Sequence, residues 1–275
     1  MSRALFWKTL RDARLLLVIL VLATVAFELL FVIFVREMLQ EMLMQIASVW
    51  LEKAPFRRMV NSMLGADLAV ELTPTSLMAI GFSHPLMYTF MWVLLLTIGT
   101  RGLVGEIDRG TADLLLGLPV SRTAVYGSVS ATLVLAAVLI SVATVCGAGL
   151  GAVFIPLKEP LNLARLWILV ANLLALNLAI TGLTTLVSSL ASRRGTAVAT
   201  VLTVLLVSFL IQFLAPLWDP ARRIECLGLL HYYRPLPAVR TGQWPLADIF
   251  TLLAVAMVAW IVGLWYFRRR DIPAA

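Results

Sequence analysis

The sequence predicts an all-α polytopic membrane protein with about six transmembrane helices. Three observations carry this. Apolar runs long enough to cross a bilayer recur six times along the chain. The composition is 61% hydrophobic and 13% charged, with a mean hydropathy of +0.96, whereas a soluble domain is nearer half apolar and a quarter charged. No stretch is long and polar enough to fold apart from the spans, so residues 1–275 read as one membrane domain.

The elements follow in order. Residues 1–14 pair an apolar face (Leu5, Phe6, Leu10) with Arg3, Lys8, Arg11 and Arg14, which suits an interfacial helix on an anionic leaflet or a plain basic flank. Residues 15–35 form the first span; the run is too long for a cleaved signal and lacks an A-x-A site. It holds Glu28, the one acidic residue deep inside a span rather than at its edge. That carboxyl is either a functional group on a substrate path or a cap near the outer interface. Residues 36–53 keep a helical rhythm with a Met-rich face and predict an outer amphipathic helix, stopped by Pro55. The outer segment runs on to residue 75.

The second span lies within 76–100 and is interrupted at His84–Pro85, where Pro is tolerated in a first turn. Residues 105–122 cannot cross a bilayer. They carry Glu106, Asp108, Arg109, Asp113 and Arg122, then a Leu-rich helical stretch closed by Gly117 and Pro119. The third span, 123–154, contains Gly147 and Gly151 at the small-xxx-small spacing that lets helices approach closely. The fourth, about 163–190, carries Asn177, Thr181, Thr184 and Ser188 on one stripe. Interhelical hydrogen bonding is the simplest reading of that stripe, and a substrate-facing role for Asn177 the sharper one. The fifth span is about 196–217. Residues 218–245 form an outer segment whose short apolar core could dip back into the leaflet where protein covers its backbone. The sixth span, 246–267, ends at Arg268–Arg270.

Six spans put both termini on one side. That side holds twelve of the 22 Lys and Arg residues against five Asp and Glu, and the other side ten against nine. Because basic residues in short loops stay inside, the termini and residues 105–122 are expected in the cytoplasm of a plasma membrane, in bacteria the inner membrane. Several chemistries are excluded by pattern. The chain has no P-loop, no H-E-x-x-H and no G-x-S-x-G, so no catalytic residue is assigned and no cofactor is expected in it. Its two histidines and two cysteines lack metal spacing, so no metal site is assigned. Its aromatic residues lie in apolar spans rather than on a basic face, which argues against nucleic acid.

The central stretch resembles the signature of ABC-2-type transporter permeases. The matching residues are Gly105–Glu106, Gly110–Thr111, the Leu114–Leu116 run, Pro119 and Ser121–Arg122. In that family the pattern follows the second of six spans, and the layout of this chain agrees nearly throughout. Relatives carry Gly-Lys near the start of the third span, where this chain has Gly127–Ser128. The resemblance implies that 105–122 is a cytoplasmic coupling helix docking on a separate ABC ATPase, which would bind the ATP and Mg. Gly105, Glu106, Asp108, Arg109, Gly110, Thr111, Leu115, Pro119 and Arg122 are then the coupling residues, with Thr111 as a helix cap. It further implies an exporter acting as a homo- or heterodimer of permeases amid membrane lipids, with the path between them. The alternative is a non-transporting scaffold of an ABC-type complex that acts on an extracytoplasmic protein. An ion-driven carrier using Glu28 stands third.

Overall fold

A computed structural model describes residues 3–37, 73–110, 120–157 and 159–270. The amphipathic helix expected over 36–53 falls, beyond Glu37, outside them. The described chain is built from α1 (Arg3–Glu37), α2 (Pro74–Phe82), α3 (Pro85–Gly102), α4 (Val104–Asp108), α5 (Arg122–Phe154), α6 (Leu163–Leu190), α7 (Arg194–Leu214), α8 (Asp219–Ile224), α9 (Pro235–Thr241) and α10 (Leu246–Arg269). Two 3₁₀ turns, Glu225–Leu227 and Leu229–Tyr232, join α8 to α9. Among the described residues there is no strand. Five of these helices are each long and apolar enough to span, and α2 and α3, bent by 42° at their break, are so only as a pair.

The N-terminal segment differs from expectation. Residues 3–14 are continuous with the first span, because neither Gly nor Pro interrupts Arg3–Glu37 and the hydrogen-bond ladder runs on. A 35-residue helix is about 52 Å long, well beyond the ~30 Å hydrocarbon core. Its basic first turns therefore project past the core rather than forming a separate helix.

Packing follows the small residues. A Cβ on Gly147 would meet the Val25 carbonyl at 2.6 Å, and one on Gly151 would meet Val32 at 2.6 Å. The small-xxx-small pair of α5 thus seats α1, as its spacing predicts. Gly182 of α6 faces the Ala256 carbonyl of α10 at 2.8 Å in the same manner. α6 is the central helix: 72% of its most apolar stretch is buried, against 22% for α1, α7 and α10. The hydroxyls of the α6 stripe do not bridge helices. Thr181 and Thr184 donate to Leu178 and Ile180 of their own helix, both at 2.7 Å, the back-bonding that satisfies a hydroxyl without a neighbour.

The second span bends where the sequence breaks it. His84 caps α3 by accepting the Leu86 N–H on Nδ1 at 3.2 Å, so it serves as a helix cap. Pro85 has no N–H to offer α2. The Gly81 carbonyl accepts the His84 N–H at 3.0 Å, and the Phe82 carbonyl, which loses the Leu86 N–H to the His84 cap, takes the Tyr233 hydroxyl at 3.5 Å. Tyr233 is fully buried, reaching in from the outer segment. Leu230, Leu236 and Val239 of that segment are buried beside the spans, and the Leu230 N–H donates to Ser208 Oγ of α7 at 3.1 Å. Leu230, Tyr233, Leu236 and Val239 are thus covered by protein, whereas Cys226 and Leu227, within the short apolar core that could have dipped into the leaflet, are exposed.

Candidate functional site: the end of the bundle that holds both termini

The expected coupling residues sit at the end of the bundle that holds both termini. After Gly102, α3 stops and the chain turns at Leu103 into the short α4. Gly105 fits here because a Cβ would come within 3.2 Å of the Thr100 carbonyl. Gly110 closes the turn at φ +67°, a conformation that glycine adopts without strain, with its N–H donated to Ile107 at 3.1 Å.

The charged side chains of this turn reach inward to other spans. Glu106 pairs with Lys8 of α1 at 3.4 Å and with Arg109 at 3.2 Å, and its side chain is only 17% exposed. Asp108 accepts the backbone N–H of Arg194 at 3.3 Å and so supplies a cap for α7, whose own Arg193 provides none. The Arg194 guanidinium returns to Thr100 Oγ1 of α3 at 3.4 Å. Arg101 reaches the Asp12 carbonyl of α1 at 3.5 Å.

The far end of the stretch is clamped too. Ser121 caps α5 by accepting the Ala124 N–H at 3.2 Å. Arg122 donates to the carbonyls of Arg268 and Arg270, where α10 ends. Arg270 in turn donates to Ser189 and Ala191 at 3.0 and 2.6 Å and to Ser192 Oγ at 3.0 Å. Those carbonyls lie at the C-terminus of α6, where they have no helical donor and the helix dipole favours a cation.

Gly105, Glu106, Asp108, Arg109, Gly110 and Arg122 are therefore brought together at one end and wired into α1, α6, α7 and α10. Thr111, Leu115 and Pro119 lie outside the described residues. Lys8, Arg194 and Arg270 were missed as site residues; in the sequence they counted only as inner-side charge, although each stood in a short basic cluster beside a span. Between α1, α3 and α5, beside α4, lies an open cleft with Lys8, Asp12, Arg101 and Glu106 on its polar side and Leu16, Ile98 and Val129 on its apolar side.

The two intramembrane candidates are elsewhere. Glu28 is fully buried where α1 passes α2 and α5: a Cβ on Gly81 would stand 3.0 Å from its Oε2, and one on Gly147 2.8 Å from its Cβ. Among the described residues neither carboxyl oxygen has a hydrogen-bond partner. Asn177 is fully buried and donates to Ser141 Oγ of α5 at 2.9 Å, with Met91 Sδ at 3.7 Å. Asn172, which sequence reasoning passed over, is buried with its amide oxygen and nitrogen both unpartnered.

A bundle of spans whose loop, at the end that holds both termini, is tied to α1, α6, α7 and α10 can pass a push on that loop into helix movement. Comparison with the curated proteins gives no match. The family of ABC-2 family transporter proteins matches over residues 3–272. With that match covering almost the whole length, the chain belongs to the ABC-2 family and is an ABC-2-type permease.

Proposed function

We propose that this permease is the membrane subunit of an ATP-driven exporter, moved by a separate ABC ATPase that docks on residues 105–122. The observation that supports the reading most is the wiring of that stretch. Glu106 holds α1 through Lys8, Asp108 holds α7 through the Arg194 N–H, and Arg122 with Arg270 holds α10 and α6. A force on the loop therefore reaches helices on both sides of the bundle, without hinging on any one contact.

The ATP and Mg belong to the ATPase. ATP binding draws two ATPases together, and the loops they carry shift the balance between two packings of the permease pair. The second permease is identical or closely related. It faces α1, α3 and α7; the single chain leaves the apolar surface of α1 and α7 largely open, as it does that of α10. The termini and 105–122 lie in the cytoplasm, following the basic excess at that end in the plasma or bacterial inner membrane.

The test is to purify the full chain after co-expression with the ATPase encoded beside it and to measure ATP turnover in lipid. Glu106→Ala and Asp108→Ala are expected to lower turnover by roughly fivefold, about 1 kcal/mol, while the chain still folds. A folded chain that binds no ATPase overturns the reading. Turnover that responds to an extracytoplasmic protein and to no small molecule moves the reading to the scaffold.

A further inference from the structure

Glu28 is the buried titratable group that the wiring of the coupling end leaves unused. It lies on α1 where that helix passes two glycines of different elements. A Cβ on Gly147 of α5 would stand 2.8 Å from the Glu28 Cβ. A Cβ on Gly81 of α2 would stand 3.0 Å from Glu28 Oε2 and 2.7 Å from the Phe31 ring. The stem is thus held against α5, and the carboxyl lies beside the last turn of α2, next to Phe31. That ring belongs to a ladder on α1, with Phe27 at 5.8 Å and Phe34 at 5.2 Å.

The carboxyl therefore sits where a membrane span is broken. The C-terminal end of a half-helix inside a bundle is the negative end of a dipole, and it favours bound positive charge. Here its carbonyls are engaged. Ala79 accepts Ser83 Oγ at 2.8 Å, Ile80 the Ser83 N–H at 3.1 Å, Gly81 the His84 N–H at 3.0 Å and Phe82 the Tyr233 hydroxyl at 3.5 Å. A hard metal cation takes about six oxygen ligands, and among the described residues no group of His, Cys, Asp and Glu could hold one. The positive charge that suits a lone carboxyl in this setting is a proton.

No side-chain cation competes for it among the described residues. The titratable groups around the seam are His84, whose ring stands 5.3 Å from that of Phe27, and Tyr233, within electrostatic reach of Glu28 and 6.4 Å from the Tyr88 ring. On α5 the facing residue is Gly147. On α1 itself Arg36 lies eight residues further on and pairs with Glu37 at 3.7 Å. A closed seam therefore accommodates the acid form, because ionisation would leave a charge with neither water nor partner.

We infer that Glu28 is an exchangeable proton-binding site, loaded while α1 is seated on α5 and α2 and able to release its proton to water when that seam opens. Closing the seam again takes a proton up. This deepens the transport reading by naming a second ligand of the cycle. Proton binding belongs to the chain alone; release during turnover rests on the ATPase reading, through the Lys8–Glu106 tie that carries a push on the loop into α1.

The experiment is infrared spectroscopy of the full chain in lipid, alone and with its ATPase, comparing the parent with Glu28→Gln. At neutral pH the parent should show the C=O stretch of a protonated carboxyl that Glu28→Gln lacks. That band should shift slowly when D2O replaces H2O, and in the complex ATP should speed the shift by about tenfold. ATP turnover should fall at alkaline pH in the parent and not in Glu28→Gln. Where Glu28→Gln fails to fold, mass mapping of dicyclohexylcarbodiimide adducts on the parent takes its place, since the reagent adds to the acid form: Glu28 should be labelled at neutral pH, and faster during ATP turnover. Absence of the band, its persistence in Glu28→Gln, labelling that spares Glu28, or a band that never shifts overturns the inference. So does a carboxylate band that responds to sodium in place of choline, which marks a metal-cation site, or exchange that ATP leaves unchanged in a complex that hydrolyses it. An exchanging band without any ATPase docking leaves the site standing while the transport reading falls; docking without the band does the reverse.

Discussion

Glu28 is enclosed on the α1 face that meets Gly147 and Gly81, with two carboxyl oxygens and no donor for either. An uncompensated charge is expensive at such depth, whereas the neutral acid costs far less. Glu28→Gln keeps the shape and removes the titration, so the purified chain should unfold within a few degrees of the parent. If Glu28 carries ions, transport should also lose its pH dependence; an unchanged pH profile removes the ion-driven reading. Gly147→Val acts differently. It forces atoms into a space already 2.6 Å from the Val25 carbonyl, so α1 must separate from α5. The expected cost is about 1–3 kcal/mol, read as a fall in thermal stability in detergent, and a stable variant would refute the seating of α1 on Gly147.

Among the elements, the outer segment between α7 and α10 is the one whose stability should depend on pH. His231 lies beside Arg234, 2.7 Å from its guanidinium, and 3.8 Å from Glu225. Burial first, and then the Arg234 charge, lower its pKa from the ordinary 6.5. The unfolded segment therefore takes up the proton before the folded one. Stability is full above about pH 6.5 and declines as pH falls below it. Proteolysis of the reconstituted protein should cut 219–241 faster at pH 5 than at pH 7.5, and His231→Gln should flatten that difference. At the opposite end, Arg270→Ala leaves three acceptors, the Ser189 and Ala191 carbonyls and Ser192 Oγ, to water. Since that site is only part-buried, the loss should be modest in stability, about 1 kcal/mol. It should show more clearly as a weaker response of ATP turnover to whatever engages the outer half. Equal coupling in Arg270→Ala would remove α6 and α10 from the transmission route.

For the whole molecule the decisive feature is that the charged ties between segments distant in sequence share one end. Lys8, Glu106, Asp108, Arg194, Arg122 and Arg270 meet there, and the Cys226 turn lies at the other. With an even number of crossings, a membrane-impermeant maleimide applied to intact cells should label Cys226, which is exposed. A cysteine introduced at Ser192 should react only after permeabilisation. The reverse pattern would invert the orientation and take residues 105–122 away from any cytoplasmic ATPase.

The six crossings were legible in the sequence because each is a local property: a run of apolar residues of sufficient length, ended by charge, Gly or Pro. The fourth span, read as about 163–190, is α6 at Leu163–Leu190, and the break at His84–Pro85 is the bend between α2 and α3. The Gly147–Gly151 pair was equally legible, since a helix places residues four apart on one face. The continuity of α1 was obscured by its basic first turns, which have the composition of an interfacial helix while lacking any residue that would end the span. What only the tertiary structure decided is which partner each polar group finds. Glu106 could pair with Arg109 from spacing alone, but Lys8 is 98 residues away, and Arg122 meets Arg270 across 148. The hydroxyls of Thr181 and Thr184, polar enough to bridge helices, turn back on α6 because apolar and small neighbours leave them no acceptor nearer than their own carbonyls. Span length and sidedness are set by transfer from water to lipid, which acts residue by residue. Partners inside the bundle are set by which helices come to lie side by side, and that depends on the shape of all of them together.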